Sequence, residues 1–160
     1  MSRRLAALAV FAGLGAAPVV VRAVEVVTVI PPAGVEAKPG AGTLVALRVV
    51  VKPGYHVQAN PVENPSLIPI TLKMDAAASV SVGDPLYPAA RRMRLPGDNQ
   101  DLVVYDGTFA IALPLTVEPN ARAGATVILK GTLRYQACDD RHCLLPVTLP
   151  VALAVTVGAR

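Results

Sequence analysis

The sequence predicts an all-β, antiparallel sandwich, and three observations carry the prediction. Short apolar runs recur along the chain with turn signals between them, and almost none shows a 3.6-residue period. Fifteen prolines and twelve glycines in 160 residues favour many turns and short strands over long helices. Hydrophobic residues make up 53% of the chain but aromatics only 4%, with no Trp, so Val, Leu, Ile and Ala must fill the core. The length suits one domain with a sizeable core. No internal repeat or low-complexity linker divides it.

The first 23 residues read as a leader rather than as part of the fold. Met1-Ser2-Arg3-Arg4 is a short basic region, Leu5 to Val21 is apolar, and Val21-Arg22-Ala23 loosely fits a small-residue cleavage pattern. Cleavage after Ala23 would leave residues 24–160 as a single exported domain. An uncleaved signal anchor is the alternative, but Gly13, Gly15 and Pro18 interrupt the apolar stretch. No cysteine follows that stretch, which argues against a lipid anchor. Later apolar runs are short and broken by Pro or charge, so the mature domain is expected not to span a membrane. The net charge of +4 is modest, and no Lys/Arg run interleaves with aromatics, so nucleic-acid binding has no support.

The elements follow in order. Val24 to Ile30 is a Val-rich strand ended by Pro31-Pro32, and Ala33 to Gly42 is a turn region. Thr43 to Val51 is a strand with apolar residues on both faces, as expected of one buried between two layers. Lys52-Pro53-Gly54 turns the chain, and Tyr55 to Pro61 leads into a loop through Pro65. Leu67 to Met74 is a strand in which Pro69 marks an edge or bulge. Ala78 to Val82 is a short strand. Leu86 to Asp101, with Arg91, Arg92, Arg94 and Pro96-Gly97-Asp98-Asn99, reads as a long loop, either functional or a solvated connector. Leu102 to Tyr105 and Thr108 to Val117 flank Asp106-Gly107, a strong hairpin signal. Ala125 to Ala137 and Leu144 to Val157 are the last two strands, expected to pair antiparallel with a loop at their tip.

That tip holds both cysteines of the chain, Cys138 and Cys143, with four residues between them. Both must therefore lie on one loop or hairpin tip, where a disulfide forms if their Cα atoms come within roughly 4.4–6.8 Å. In chain-entropy terms a ring of about six residues contributes about 2 kcal/mol, near the low end for disulfides. Strained or exposed disulfides are the reducible ones. Arg141 and His142 beside Cys143 would favour its thiolate, whereas Asp139 and Asp140 after Cys138 would oppose ionisation there. Cys143 is thus the candidate nucleophile and Cys138 the resolving thiol. A local structural clip remains the alternative on these residues alone. A metal site is a third reading: Cys138, Cys143 and His142 are zinc- or copper-type ligands, with His56 the one remaining imidazole. His56 is expected to pack or hydrogen-bond at a strand end rather than to bind a metal.

The hairpin Leu133-Arg134-Tyr135-Gln136-Ala137-Cys138 through Cys143-Leu144-Leu145-Pro146 resembles the Tyr-Gln-x-Cys…Cys-x-x-Pro signature of the N-terminal periplasmic domain of the thiol:disulfide interchange protein DsbD. Supporting pieces are Gly54-Tyr55-His56-Val57-Gln58-Ala59-Asn60 with Leu67-Ile68-Pro69, the Tyr105-Asp106-Gly107 turn, and Leu113-Pro114-Leu115. The resemblance implies an immunoglobulin-like sandwich in the periplasm whose cysteine pair shuttles electrons without a cofactor. It implies a thioredoxin-like, periplasmic or membrane-attached reductase as donor. The acceptors it implies are exported thiol proteins such as disulfide isomerases or cytochrome c maturation factors. Cys143 then forms the intermolecular disulfide, and Tyr105 is the match to a tyrosine that lies near the pair. Full-length members continue into membrane-spanning and thioredoxin-like domains, so this chain is expected to borrow its reductant. The aromatic cap loop of the family has no clear match: Leu86 to Asp101 lies in the corresponding region but has Tyr87 and arginines and no Phe.

Three functions compete on this reading. The first is a thiol–disulfide oxidoreductase module in which Arg141 and His142 tune Cys143, and Asp139 and Asp140 orient or deprotonate Cys138. The second is an immunoglobulin-like binding module whose disulfide only rigidifies its loop. The third is copper or zinc handling.

Overall fold

The computed structural model describes residues 25–94 and 101–159. The expected leader, Met1 to Ala23, and the Pro96-Gly97-Asp98-Asn99 turn lie outside the described residues. Among these residues the chain forms strands and no helix. In order they are β1 (Val27–Ile30), β2 (Val35–Ala37), β3 (Gly42–Val51), β4 (His56–Gln58), β5 (Thr71–Met74) and β6 (Val80–Val82), followed by β7 (Arg91–Arg94), β8 (Asp101–Tyr105), β9 (Thr108–Val117), β10 (Thr126–Tyr135), β11 (Ala137–Cys138) and β12 (Val147–Val157).

The strands form three four-stranded sheets, ordered β1-β3-β9-β6, β2-β12-β10-β5 and β11-β4-β8-β7. Named strands pair antiparallel except β2, which runs parallel to β12. The first two sheets face each other. Val45, Leu47, Val49 and Val51 of β3 and Ile111, Leu113, Leu115 and Val117 of β9 are buried on one side. Leu129, Leu133 and Tyr135 of β10 and Val151, Leu153, Val155 and Val157 of β12 are buried on the other, in one continuous cluster. Each such Val or Leu stabilises the fold by about 1.5–3 kcal/mol relative to leaving it in water. This is the immunoglobulin-like, all-β sandwich that the resemblance implies, with the cysteines at the tip between β10 and β12.

The third sheet is assembled from continuations of both main sheets. β4 follows β3 after one turn, β8 runs into β9, and β11 follows β10 after Gln136. It therefore sits where the two layers meet, at the cysteine end.

Several elements differ from the sequence expectation. The β3 strand is not buried on both faces: Leu44 is 61% exposed and Ala46 and Arg48 point outward, so its outward apolar residues only blur a regular alternation. The 33–42 turn region contains β2, three residues long, which pairs at the edge of β12. The expected strand from Leu67 begins only at Thr71, and Pro69 makes just an isolated bridge with Gln58. Leu86 to Asp101 is not one long loop. Arg91–Arg94 is an edge strand on β8, and each arginine meets a carboxylate: Arg91 with Asp106, Arg92 with Glu63, and Arg94 with Asp101 at 2.8 Å. Charge along an edge strand discourages pairing with other chains. Asp106-Gly107 does not close a hairpin, because β8 pairs with β4 and β7 whereas β9 pairs with β3 and β6. Gly107 (φ +59°) instead lets the chain change sheets, and its carbonyl accepts the Val51 amide at 2.7 Å.

Candidate redox site

Cys138 and Cys143 are joined by a disulfide. Their neighbours explain why they meet. The Leu144 amide donates to the Ala137 carbonyl at 2.8 Å, and the Asp139 amide donates to the His142 carbonyl at 3.0 Å. The cysteines therefore face each other as a non-hydrogen-bonded antiparallel pair, the closer of the two pair types. Their Cα atoms are 4.0 Å apart.

The turn between them is shaped by Asp139. Its Oδ1 accepts the amides of Arg141 at 2.8 Å and His142 at 2.7 Å. Two donors on one carboxylate hold its pKa below the usual value, the His142 amide contributing most. The Asp139 carboxylate is thus engaged with the backbone of the tip. Asp140, Arg141 and His142 are exposed on it.

The two sulfurs meet different surroundings. Cys138 is 2% exposed because β11 is hydrogen-bonded into the third sheet beside β4, whereas Cys143 lies outside any strand and is exposed. Register then sorts the neighbours by face. Cys138 is opposite His56, and Ala137 is opposite Val57. Val57 is in turn opposite Tyr105, and Gln58 is opposite Val104. Side chains aligned across a sheet share a face, so Ala137, Val57 and Tyr105 stand on one face, which belongs to the core cluster. Cys138, His56, Gln58 and Val104 stand on the other.

This sorting locates the remaining sequence candidates. Tyr105 is on the strand trio that carries Cys138, but on the core face. It stacks on Phe109 at 4.6 Å, and its hydroxyl donates to the Pro88 carbonyl at 2.9 Å. Burial pushes its phenol pKa up. Tyr135 is buried in the core, its hydroxyl near the Val26 and Val27 backbone, and burial pushes its phenol up too. Tyr87 accepts the Leu72 amide through its hydroxyl at 2.9 Å, which ties its segment to β5.

His56 and Gln58 are the buried polar side chains closest to the chemistry. The Lys52-Pro53-Gly54-Tyr55 turn delivers them: the Tyr55 amide donates to the Lys52 carbonyl at 3.1 Å, and Gly54 takes φ +83°, the pattern of a type II turn. His56 Nε2 has no hydrogen-bond partner, and burial holds its pKa below 6.5, helped by nearby Arg91 and opposed by Asp106 and Asp139. A groove of about 470 Å³ runs beside it, lined by Tyr55, His56, Arg91, Met93, Asp106 and, from the cysteine tip, Asp140. Gln58 Nε2 lies 3.9 Å from Cys138 Sγ. Sequence reasoning weighed His56 only as a ligand or packing residue and passed over Gln58. The signal was present in the alternation of Tyr55-His56-Val57-Gln58, which puts two polar groups on one strand face. Among the described residues, no group of three His, Cys, Asp or Glu side chains is placed to hold a metal ion.

Comparison with known proteins places these features in a family. The chain matches the family described as the N-terminal part of the thiol:disulfide interchange protein DsbD over residues 24–154. No curated protein matches the sequence. Among solved structures, the N-terminal periplasmic domain of ScsB from Proteus mirabilis superposes with a TM-score of 0.51 at 13% identity. That match covers 82% of this chain but only 45% of that one. The periplasmic chaperone SfaE gives a TM-score of 0.39 at 10% identity, covering 83% of this chain and 58% of that one. With its match running from residue 24 to residue 154 and its cysteine pair at the tip of the β10–β12 hairpin, the chain belongs to the family of DsbD N-terminal domains.

Proposed function

We propose that this chain is a periplasmic thiol–disulfide exchange module. It relays reducing equivalents through Cys138 and Cys143 from a thioredoxin-like reductase to exported thiol proteins. The observation that carries this reading is the asymmetry of the disulfide, with one cysteine exposed and its partner buried in the sheet. Attack by an incoming thiolate needs an accessible sulfur, so the reductant reaches Cys143. Its thiolate forms a bond to Cys143 Sγ, the Cys138–Cys143 bond breaks, and the electron pair leaves on Cys138 Sγ. The second thiolate of the reductant then attacks its own sulfur in the mixed disulfide and releases Cys143 as a thiolate. In the forward direction Cys143 attacks a disulfide of the acceptor, and Cys138 resolves the intermediate. Each transfer exchanges two electrons between dithiol and disulfide, so no further cofactor takes part.

Exposed Arg141 and His142 immediately precede Cys143 in the tip, and the Asp139-capped turn keeps Cys143 facing Cys138. Tyr105 supports the site from below by holding the Pro88 carbonyl against β8. The reading is tested by trapping: the Cys138→Ser protein should accumulate mixed disulfides with exported thiol proteins through Cys143. Cys143→Ser should trap none. Equal trapping by both variants, or by neither, would overturn the assignment.

A further inference from the structure

His56 and Gln58 are, tyrosines aside, the polar side chains buried among the described residues, and both share the face of Cys138. Burying a carboxamide is unfavourable unless it is hydrogen-bonded. Gln58, 1% exposed, has one contact to show for its burial: Nε2 at 3.9 Å from Cys138 Sγ, with Oε1 unpartnered. A disulfide sulfur carries no hydrogen and accepts only weakly, so in the oxidised protein this contact returns little. A thiolate at the same place is a far stronger acceptor, and hydrogen bonds to ionised groups are about twice as strong as neutral ones.

We propose that Gln58 is the hydrogen-bond donor that holds the Cys138 thiolate released when the disulfide is opened at Cys143. The proposal rests on the exchange reading above and names the residue that receives its leaving group. When an incoming thiolate bonds to Cys143 Sγ, the electron pair of the broken bond lands on Cys138 Sγ, beside the Gln58 amide hydrogens. Cys143 faces water and is solvated there, whereas Cys138 is buried and depends on protein donors. A better-stabilised leaving thiolate leaves faster. In the reverse step the same donor keeps more of Cys138 ionised and ready to resolve the mixed disulfide.

The test separates this role from packing. In a Cys143→Ser background, the lone Cys138 is titrated by thiolate ultraviolet absorbance with Gln58 intact and as Gln58→Met, which keeps the length and removes the N–H donors. Loss of the donor should raise the Cys138 pKa by about one unit, a tenfold smaller thiolate fraction at neutral pH. With both cysteines present, reduction of the disulfide by dithiothreitol should slow about threefold in Gln58→Met. Gln58→Leu also removes the donors and fills much of the same volume without adding a charge. It provides the same readout if the methionine variant does not fold. An unchanged Cys138 titration in a folded Gln58→Met or Gln58→Leu protein would overturn the proposal. That titration is read without any partner protein, so it stands or falls apart from the exchange reading, which fails instead if the parent disulfide resists reduction.

Discussion

Cys138 and Cys143 differ in exposure because a tight turn separates them: β4 draws the first into a sheet by backbone pairing, and nothing comparable holds the second. The same pairing buries His56, and this has a consequence for stability. Burial lowers the folded-state pKa of His56 below 6.5, so between that lowered value and 6.5 the unfolded chain binds a proton that the folded one does not. Stability should therefore fall as pH drops below about 6.5 and level off above it. Arg91 adds to the effect, and Asp106 and Asp139 oppose it. Urea denaturation at pH 7 and pH 5 checks this: His56→Gln should lose much of the difference between the two pH values. A variant with the same pH slope as the parent would assign the slope to other groups.

Among the elements, the pairing of β5 with β10 depends on one residue. Gly131 lies opposite Met74, and a Cβ there would stand 2.2 Å from the Lys73 carbonyl oxygen, a backbone atom that cannot swing aside. Gly131→Ala should destabilise by about 1–3 kcal/mol, the range for overpacking a filled site, read as a lower urea midpoint with an unchanged slope. The long strands were legible in the sequence because β3, β9, β10 and β12 each carry four to six apolar residues at period two. The short ones were not. Three residues of β2 or β4 cannot establish a period, and β4 is buried on both faces, so His56 and Gln58 broke the apolar pattern that would have marked it. In β7 three arginines hid an edge strand whose cohesion comes from ladder bonds and facing carboxylates rather than from apolar burial. Asp106-Gly107 misled for a different reason. Its local geometry suits a reversal, but tertiary pairing sends β8 and β9 to different sheets.

For the molecule as a whole, the core and the disulfide are energetically separate. The cluster of Val, Leu, Ile and Tyr side chains between the two main sheets does not include Cys138 or Cys143. Closing a ring of about six residues contributes only about 2 kcal/mol. The reduced protein should remain folded and lose roughly that much stability, as a shuttle that alternates between two states requires. Denaturant curves with and without dithiothreitol check this, and unfolding on reduction would point to a structural staple. The cysteine motif was legible at this scale too: the Tyr-Gln and Leu-Leu-Pro residues flanking the two cysteines carry the resemblance to the family. The face-sorting that puts Gln58 beside Cys138 was not legible, because it depends on the register between β11 and β4, which are far apart in sequence. The most direct test of the exchange reading is the reduction potential of the Cys138–Cys143 pair, measured by equilibration in thiol redox buffers. An exchange module should give a value between about −180 and −270 mV, the span of exchange proteins, whereas a value below about −300 mV, typical of structural disulfides, would contradict that function.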